Sequence, residues 1–248
     1  MSSEAGHGPL DFAGGERFNG EMLLSERILF IDGDVIVIDK PAGLPVDAPR
    51  SGGPSVETRI DELKMGFKQA PVAMHRLDTD TTGCLLLARN ARARKYLQAA
   101  FEGREAEKTY LAVVEGVVPD DKGVIDLPLA KVSTAASGWR IVHDEAGQSA
   151  RTRWRRIGTI EDKSLVEFTP ETGRTHQIRV HAARGLGTAI VGDPMYSDLD
   201  DDPEQPMLLH AWKLKVPRGK KPIIDVEAPI PDAFGLFLDF LTFEDSAA

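Results

Sequence analysis

Short apolar runs separated by polar breaks dominate the chain, and most are too short for long helices. Residues 28–31 and 35–39 are apolar runs on either side of Asp32-Gly33-Asp34. That pattern predicts a β-hairpin in which glycine takes the positive φ of a tight turn, and Lys40-Pro41-Ala42-Gly43 then breaks the second strand. Ser55 is placed to cap a short helix with Val56, Ile60 and Leu63 on one face and Gly66 as its stop. Residues 84–88 read as a buried strand. Asn90 caps a second helix, in which Ala93, Leu97, Ala100 and Phe101 form an apolar stripe while Arg92, Arg94, Lys95 and Gln98 point away, ending near Gly103. Strand-like segments follow at 108–114, 150–156 and 165–169. Thr175 as N-cap and Gly185 just past the end predict a short helix over 176–184, with Ile178, His181 and Ala182 inward and Arg179 near an edge, within reach of a neighbouring loop. Many strands and few helices predict an α+β fold, a mixed and largely antiparallel sheet flanked by short helices and loops.

Composition sets the bounds. The chain has 248 residues and 42% hydrophobic content, enough for a sizeable core. No repeat divides it, so the expectation is a single domain over 26–245 behind a loose, Gly-rich tail at 1–25, which lacks both the basic and the apolar region of a signal peptide. No run is long and apolar enough to span a bilayer. Cys84 is the only cysteine, which excludes an intramolecular disulfide and suits a reducing compartment; a cytoplasmic protein is the default.

Net charge argues against a nucleic-acid partner, because 30 Lys+Arg against 39 Asp+Glu leaves −9. Its distribution changes the picture. Arg89, Arg92, Arg94 and Lys95 form one basic cluster, Arg151, Arg153, Arg155 and Arg156 a second, Arg174, Arg179 and Arg184 a third, while acid gathers at 198–204 and at the C-terminal end. Each cluster alone reads as a solvated face. Three of them around one candidate carboxylate favour an RNA track.

That carboxylate is Asp78, an isolated acid on a polar turn between apolar runs in PVAMHRLDTDTTGCLLLARN, residues 71–90. An aspartate so placed suggests a nucleophile. Asp78-Thr79-Asp80-Thr81 also looks like the D-x-D-x-T loop of phosphoaspartyl phosphatases, but that chemistry wants an apolar strand directly before the first acid, and Met74, His75, Arg76 and Leu77 stand there. A non-catalytic RNA-binding module is the other alternative. His176 and His181 are five positions apart and do not share a helix face as a metal pair would, so with a single cysteine no metal site is expected. No phosphate-cradling glycine motif is present. Cys84 reads as a small buried apolar residue, and at least two of Trp139, Trp154 and Trp212 read as core.

The segment at 71–90 resembles the HRLD-x-x-T-S/T-G signature of the RluA family of pseudouridine synthases. Further matches follow the same order: Lys40-Pro41-x-Gly43-Leu44; residues 107–116 as the K-x-Y-x-A-x-V-x-G strand; Thr172-Gly173-Arg174-x-His176-Gln177-Ile178-Arg179-x-His181; Gly192-Asp193-x-x-Tyr196; and Leu209-His210-Ala211 with Leu214. The resemblance runs from about residue 28 to 216. Two letters depart from it, Thr82 for the usual Ser and Ser197 for the usual Gly, and the roughly 25 residues before the hairpin are too few for the S4-type RNA-binding domain of some relatives. The resemblance implies a pseudouridine-synthase fold, conversion of uridine to pseudouridine in an rRNA or tRNA stem-loop, no cofactor and no obligate protein partner. It makes Asp78 the catalytic carboxylate, Arg179 the guanidinium that holds it ionised, and Tyr110 the ring on which the target uracil stacks, its hydroxyl able to help remove the C5 proton. Arg76 would fill the space left by a flipped base, and Arg174, Thr81 and His75 would meet RNA, although His75 reads equally as a hydrogen-bonded structural histidine.

Overall fold

In the computed structural model, residues 22–134, 138–197 and 205–242 are described. Most of the tail expected at 1–25 and the acidic stretch 198–204 lie outside them. The elements run β1 (Ile28–Ile31), β2 (Val35–Lys40), β3 (Val72–Ala73), β4 (Thr82–Ala88), α1 (Ala91–Glu102), β5 (Glu107–Val114), β6 (Lys122–Asp126), β7 (Leu129–Thr134), β8 (Gly138–His143), β9 (Arg151–Ile160), β10 (Lys163–Pro170), α2 (Gln177–Val180), β11 (Leu209–Arg218), β12 (Lys221–Glu227) and α3 (Asp239–Thr242). The main sheet has the order β1-β2-β4-β11-β5-β10-β9-β6, with β3 added on β4 and β12 on β11, and β7 and β8 form a separate hairpin. Every pairing is antiparallel except β4 with β11. This is the expected α+β class.

Both faces of the central strands are covered, which is why their sequences read as continuous apolar runs. Alternation along β2 sends Ile36 and Ile38, with Leu85 and Leu87 of β4, into one core alongside Ala112, Val166 and Phe168. Val35, Val37 and Leu86 face the other way, onto Ala93, Leu97 and Ala100 of α1. The same period puts Tyr110 with Ala112 and Val114 on the first face, where Leu77 and Ile178 also lie.

Several local expectations hold and others change. Asn90 caps α1, its side chain accepting from the Ala93 N–H at 2.8 Å, and Gly103 closes the helix. The first hairpin forms, but Gly33 takes no positive φ. The Asp32 carboxylate turns the chain instead, accepting from the N–H groups of Asp34 and Val35 at 2.8 and 2.9 Å. Ser55 only closes a local turn, accepting from the Thr58 N–H, and a single 3₁₀ turn at Ile60–Leu63 replaces the expected helix; so short a segment gains too few bonds to propagate one. Over 176–184 the helix starts later than expected, because His176 is left-handed at φ 51° and Thr175 therefore caps nothing. One α turn is followed by a π-helical stretch, His181–Leu186, that ends at Gly187 with φ 75°. Ile178, His181 and Ala182 are buried as expected. Cys84 is buried, and burial pushes its thiol up to about 12. Trp154 and Trp212 are buried, whereas Trp139 is exposed. No helix among the described residues is long and apolar enough to cross a membrane.

Two buried polar groups fix the loop that carries Asp78. Lys40 is fully buried, and its Nζ donates to the carbonyls of Pro41, Leu44 and Thr79 at 2.7, 2.8 and 2.9 Å. Burial pulls this lysine down to about 7, opposed by Asp80, Asp78 and Asp39. At the other end of the loop, Thr82 and Gly83 open β4 in parallel register with His210 and Ala211. Gly83 has φ 103°, and a Cβ there would sit 2.3 Å from the Ala211 carbonyl oxygen, so only glycine lets the two backbones approach. His210 donates from Nε2 to the Ala228 carbonyl at 3.4 Å and accepts at Nδ1 from the Thr82 hydroxyl at 2.7 Å.

Replacing Lys40 by Met leaves three carbonyls without their donor and should cost about 3 kcal/mol or more in urea unfolding; a loss under about 1 kcal/mol would contradict this role. Burial also pulls His210 down to about 4. The unfolded chain binds a proton at that histidine below pH ~6.5 that the folded chain refuses, so the stability it confers is complete above pH ~6.5 and is lost on the order of 3 kcal/mol as pH falls toward 4. Urea titrations at pH 7.5 and 4.5 read this loss, and a His210→Gln variant with an unchanged pH slope would disprove the assignment.

Candidate active site

The loop between β3 and β4 and the segment after β10 meet over the first sheet face and enclose a cleft of about 850 Å³. Asp78 lies in its wall, with its side chain one-quarter exposed. It is on a loop rather than a strand end, held by the turn in which the Thr81 N–H donates to the Asp78 carbonyl at 3.2 Å. The Arg179 Nη1 approaches Asp78 Oδ2 at 3.4 Å. Arg179 is buried, and its Nε and Nη2 grip both oxygens of the fully buried Asp193 carboxylate at 2.7 Å each. That two-point geometry fixes the plane of the guanidinium. Burial works against the arginine's charge, but the Asp193 hydrogen bonds and the carboxylates of Asp193 and Asp78 outweigh it and raise its pKa. Asp193 is held in turn by the N–H groups of Met195 and Tyr196 at 2.9 and 3.1 Å.

Tyr110 of β5 also lines the cleft and is buried, and burial together with the Asp78 charge raises its phenol. Its hydroxyl therefore stays protonated. The turn of residues 172–174 is stapled to β9 by the buried Gln177, whose Oε1 accepts from the Thr172 hydroxyl and the Arg174 N–H at 2.7 and 3.0 Å while its Nε2 donates to the Arg151 carbonyl and the Thr152 hydroxyl. Every polar atom of that amide is used, which explains a buried glutamine at the start of α2.

The residues expected to meet RNA are placed differently from one another, although all four line the cleft. Arg76 is exposed and pairs with Asp47 at 2.8 Å. Arg174 is half-buried, its Nε donating to the Ser149 carbonyl at 3.1 Å. Thr81 is buried in the loop. His75 accepts at Nε2 from the Leu86 N–H at 3.0 Å, which leaves its proton on Nδ1, and its ring stacks on Phe101 with centroids 5.2 Å apart. Burial pulls it down to about 3, so it is a neutral ring in the cleft wall. Among the basic clusters, Arg89 is buried and donates to the backbone carbonyl of Asp32 at 2.6 Å. Arg151 and Arg153 pair with Glu171, Arg155 with Glu167 and Arg156 with Asp121. Arg89 is therefore turned inward, while Arg151, Arg153 and Arg155 stay partly exposed beside their carboxylates.

Sequence reasoning missed three contributors. Asp193 orients Arg179, and the Gly192-Asp193-x-x-Tyr196 spacing was the available signal. Lys40 pins the Asp78 loop, signalled only by the lysine before Pro41. Lys108, next but one to Tyr110, is a partly buried cation lining the cleft that no carboxylate pairs with among the described residues; burial lowers its pKa. No group of three or more His, Cys, Asp and Glu among the described residues is arranged to hold a metal ion.

Comparison with known proteins identifies the family. A family model described as RNA pseudouridylate synthase matches residues 34–184. An uncharacterized RNA pseudouridine synthase of Zymomonas mobilis is 50% identical over 212 residues, covering 86% of this chain and 97% of the relative. Ribosomal large subunit pseudouridine synthase D of Nitrosomonas europaea is 34% identical over 226 residues, covering 86% of this chain and 64% of that one. Among solved structures, human RNA pseudouridylate synthase domain containing 4 superposes with a TM-score of 0.72 at 27% identity, covering 88% of this chain and 94% of that one. These likenesses displace the phosphatase and pure binding-module readings. Asp78, Tyr110 and Arg179, which the fold gathers at one cleft, all fall inside the matched span, and the chain belongs to the RNA pseudouridylate synthase family, of the RluA type.

Proposed function

We propose that this chain isomerises particular uridines in structured ribosomal or transfer RNA, with Asp78 as the catalytic carboxylate. The observation that carries this reading is the pairing of a partly exposed Asp78 with a buried Arg179 at 3.4 Å, in a cleft that Tyr110 also lines. Pseudouridine formation breaks the bond between C1′ and N1, turns the uracil and joins C5 to the same carbon. As a nucleophile, Asp78 bonds to C1′ as N1 leaves with the electron pair, and is released when C5 takes its place. As a base, it removes the C2′ proton as N1 leaves C1′ with the bond's electron pair, giving a glycal, and returns the proton to C2′ when C5 bonds to C1′. Both routes need the ionised carboxylate. A base filling the cleft would strip water from Asp78 and disfavour its charge, and Arg179, anchored by Asp193, opposes that with a fixed positive charge.

Tyr110 offers the uracil a stacking surface. Its phenol is held protonated, so it accepts the C5 proton only while passing its own proton on. A uridine reaches the cleft only when flipped from its stack, at a cost of a few kcal/mol. Arg76 at the rim is suited to the vacated space, and Arg174 and Lys108 are suited to backbone phosphates. The relative named for the large ribosomal subunit supports ribosomal RNA as one substrate class.

Tritium release from C5-labelled uridine, in bulk ribosomal and transfer RNA, tests the reading. The wild-type protein should release tritium and Asp78→Asn should fall by at least about 1000-fold, with RNA affinity changed no more than about threefold. Normal release by Asp78→Asn would refute the role of the carboxylate. Tyr110→Phe should bind RNA as wild type does but lose about 100-fold in rate, because the ring remains and the proton-transferring hydroxyl is gone; an unchanged rate would limit Tyr110 to stacking.

A further inference from the structure

Between the catalytic loop and the β7–β8 hairpin lies a chain of polar contacts that the reaction outlined above leaves unused. His176 Nε2 faces Asp78 Oδ1 at 3.9 Å, while Arg179 Nη1 lies 3.4 Å from the other oxygen, Oδ2. The other ring nitrogen, Nδ1, is 2.8 Å from the Tyr196 hydroxyl, and that hydroxyl accepts from the Ile141 N–H of β8 at 3.1 Å. The imidazole is boxed in by rings, with Tyr196 edge-on at 5.6 Å and Trp139 of β8 at 5.2 Å. Its backbone is left-handed at φ 51°, a conformation uncommon outside glycine that concentrates at functional sites. Burial keeps the ring neutral, with Asp78 and Asp193 opposing that shift and Arg179 reinforcing it.

We propose that His176, oriented by Tyr196, is a positioning residue for Asp78, presenting a neutral Nε2–H to Oδ1 while Arg179 holds Oδ2. Two physical arguments fix the tautomer. The Tyr196 hydroxyl already accepts from Ile141, and its own proton finds its acceptor at Nδ1. The opposite tautomer would aim the Nε2 lone pair at a carboxylate oxygen, which is repulsive. At 3.9 Å the donor is beyond a direct hydrogen bond, so Oδ1 keeps its lone pairs for reaction, and the N–H dipole acts on it through space while Arg179 faces Oδ2. The hairpin is thereby part of the site, because Ile141 and Trp139 hold the Tyr196–His176 pair in place.

The inference rests on the isomerase reading, and its first test does not need activity. Imidazole nitrogen shifts measured by NMR in the unliganded wild-type protein should report His176 with its proton on Nε2, and Tyr196→Phe should shift the population toward Nδ1–H. A wild-type proton on Nδ1 overturns the proposal whatever the enzyme does. The second test is single-turnover tritium release. Tyr196→Phe and His176→Asn, which tolerates the left-handed backbone but reaches only as far as Nδ1, should each slow the reaction about 10-fold or more with RNA affinity within about twofold. His176→Gln, whose amide nitrogen reaches the Nε2 position, should recover most of that rate. Wild-type rates in the first two variants, or losses that follow RNA affinity or melting temperature, would reduce His176 to a structural residue. No tritium release by the wild-type protein would instead refute the isomerase reading, and the tautomer would still decide this one.

Discussion

A buried guanidinium is the constraint around which this site is arranged. Arg179 cannot be charged inside the fold without a compensating carboxylate, and Asp193 supplies one in a two-point grip. With Nε and Nη2 gripping Asp193, Nη1 is the nitrogen turned toward Asp78. The geometry of the candidate catalytic pair is thus set by a contact that takes no part in the chemistry. The grip also explains the order of strength, 2.7 Å to Asp193 against 3.4 Å to Asp78: the tighter partner anchors, and the looser partner keeps an oxygen free to react.

The loop carrying Asp78 is immobilised from beneath by similar means. Lys40 Nζ sits within hydrogen-bond distance of three backbone carbonyls, joining the 40–44 turn to Thr79. Gly83 then allows β4 to press against β11 immediately after the loop. Loops that carry functional side chains need a rigid scaffold beneath them, and here the scaffold is a sheet whose central strands are buried on both faces. Placing Tyr110 on the cleft face follows directly from the two-residue period of β5.

Much of this was legible in the residues. The apolar runs located β1, β2, β4, β5, β9 and β10 to within a few residues, Asn90 located the start of α1, and the ordered motifs pointed to Asp78, Tyr110 and Arg179. What was not legible has a common character. The strands β6, β7, β8 and β12 are edge or hairpin strands with polar, solvent-facing positions, so their apolar period is weak. Where sequence reasoning failed locally, a side chain or backbone strain overrode propensity: the Asp32 carboxylate made the turn assigned to Gly33, and the left-handed His176 moved the start of α2 past Thr175.

By itself the sequence determined the fold class and the family and named the candidate reactive groups, because periodicity, caps and motif spacing are local properties written along the chain. Pairing was decided only by tertiary structure. Asp78 and Arg179 are 101 positions apart. The anchoring of Arg179 by Asp193, the contact of His176 with both Asp78 and Tyr196, and the ion pairs that Arg151, Arg153, Arg155 and Arg156 make with Glu171, Glu167 and Asp121 all depend on which strands lie side by side. Electrostatic interactions act through space over a few ångströms, and a linear chain carries that distance only once it is folded.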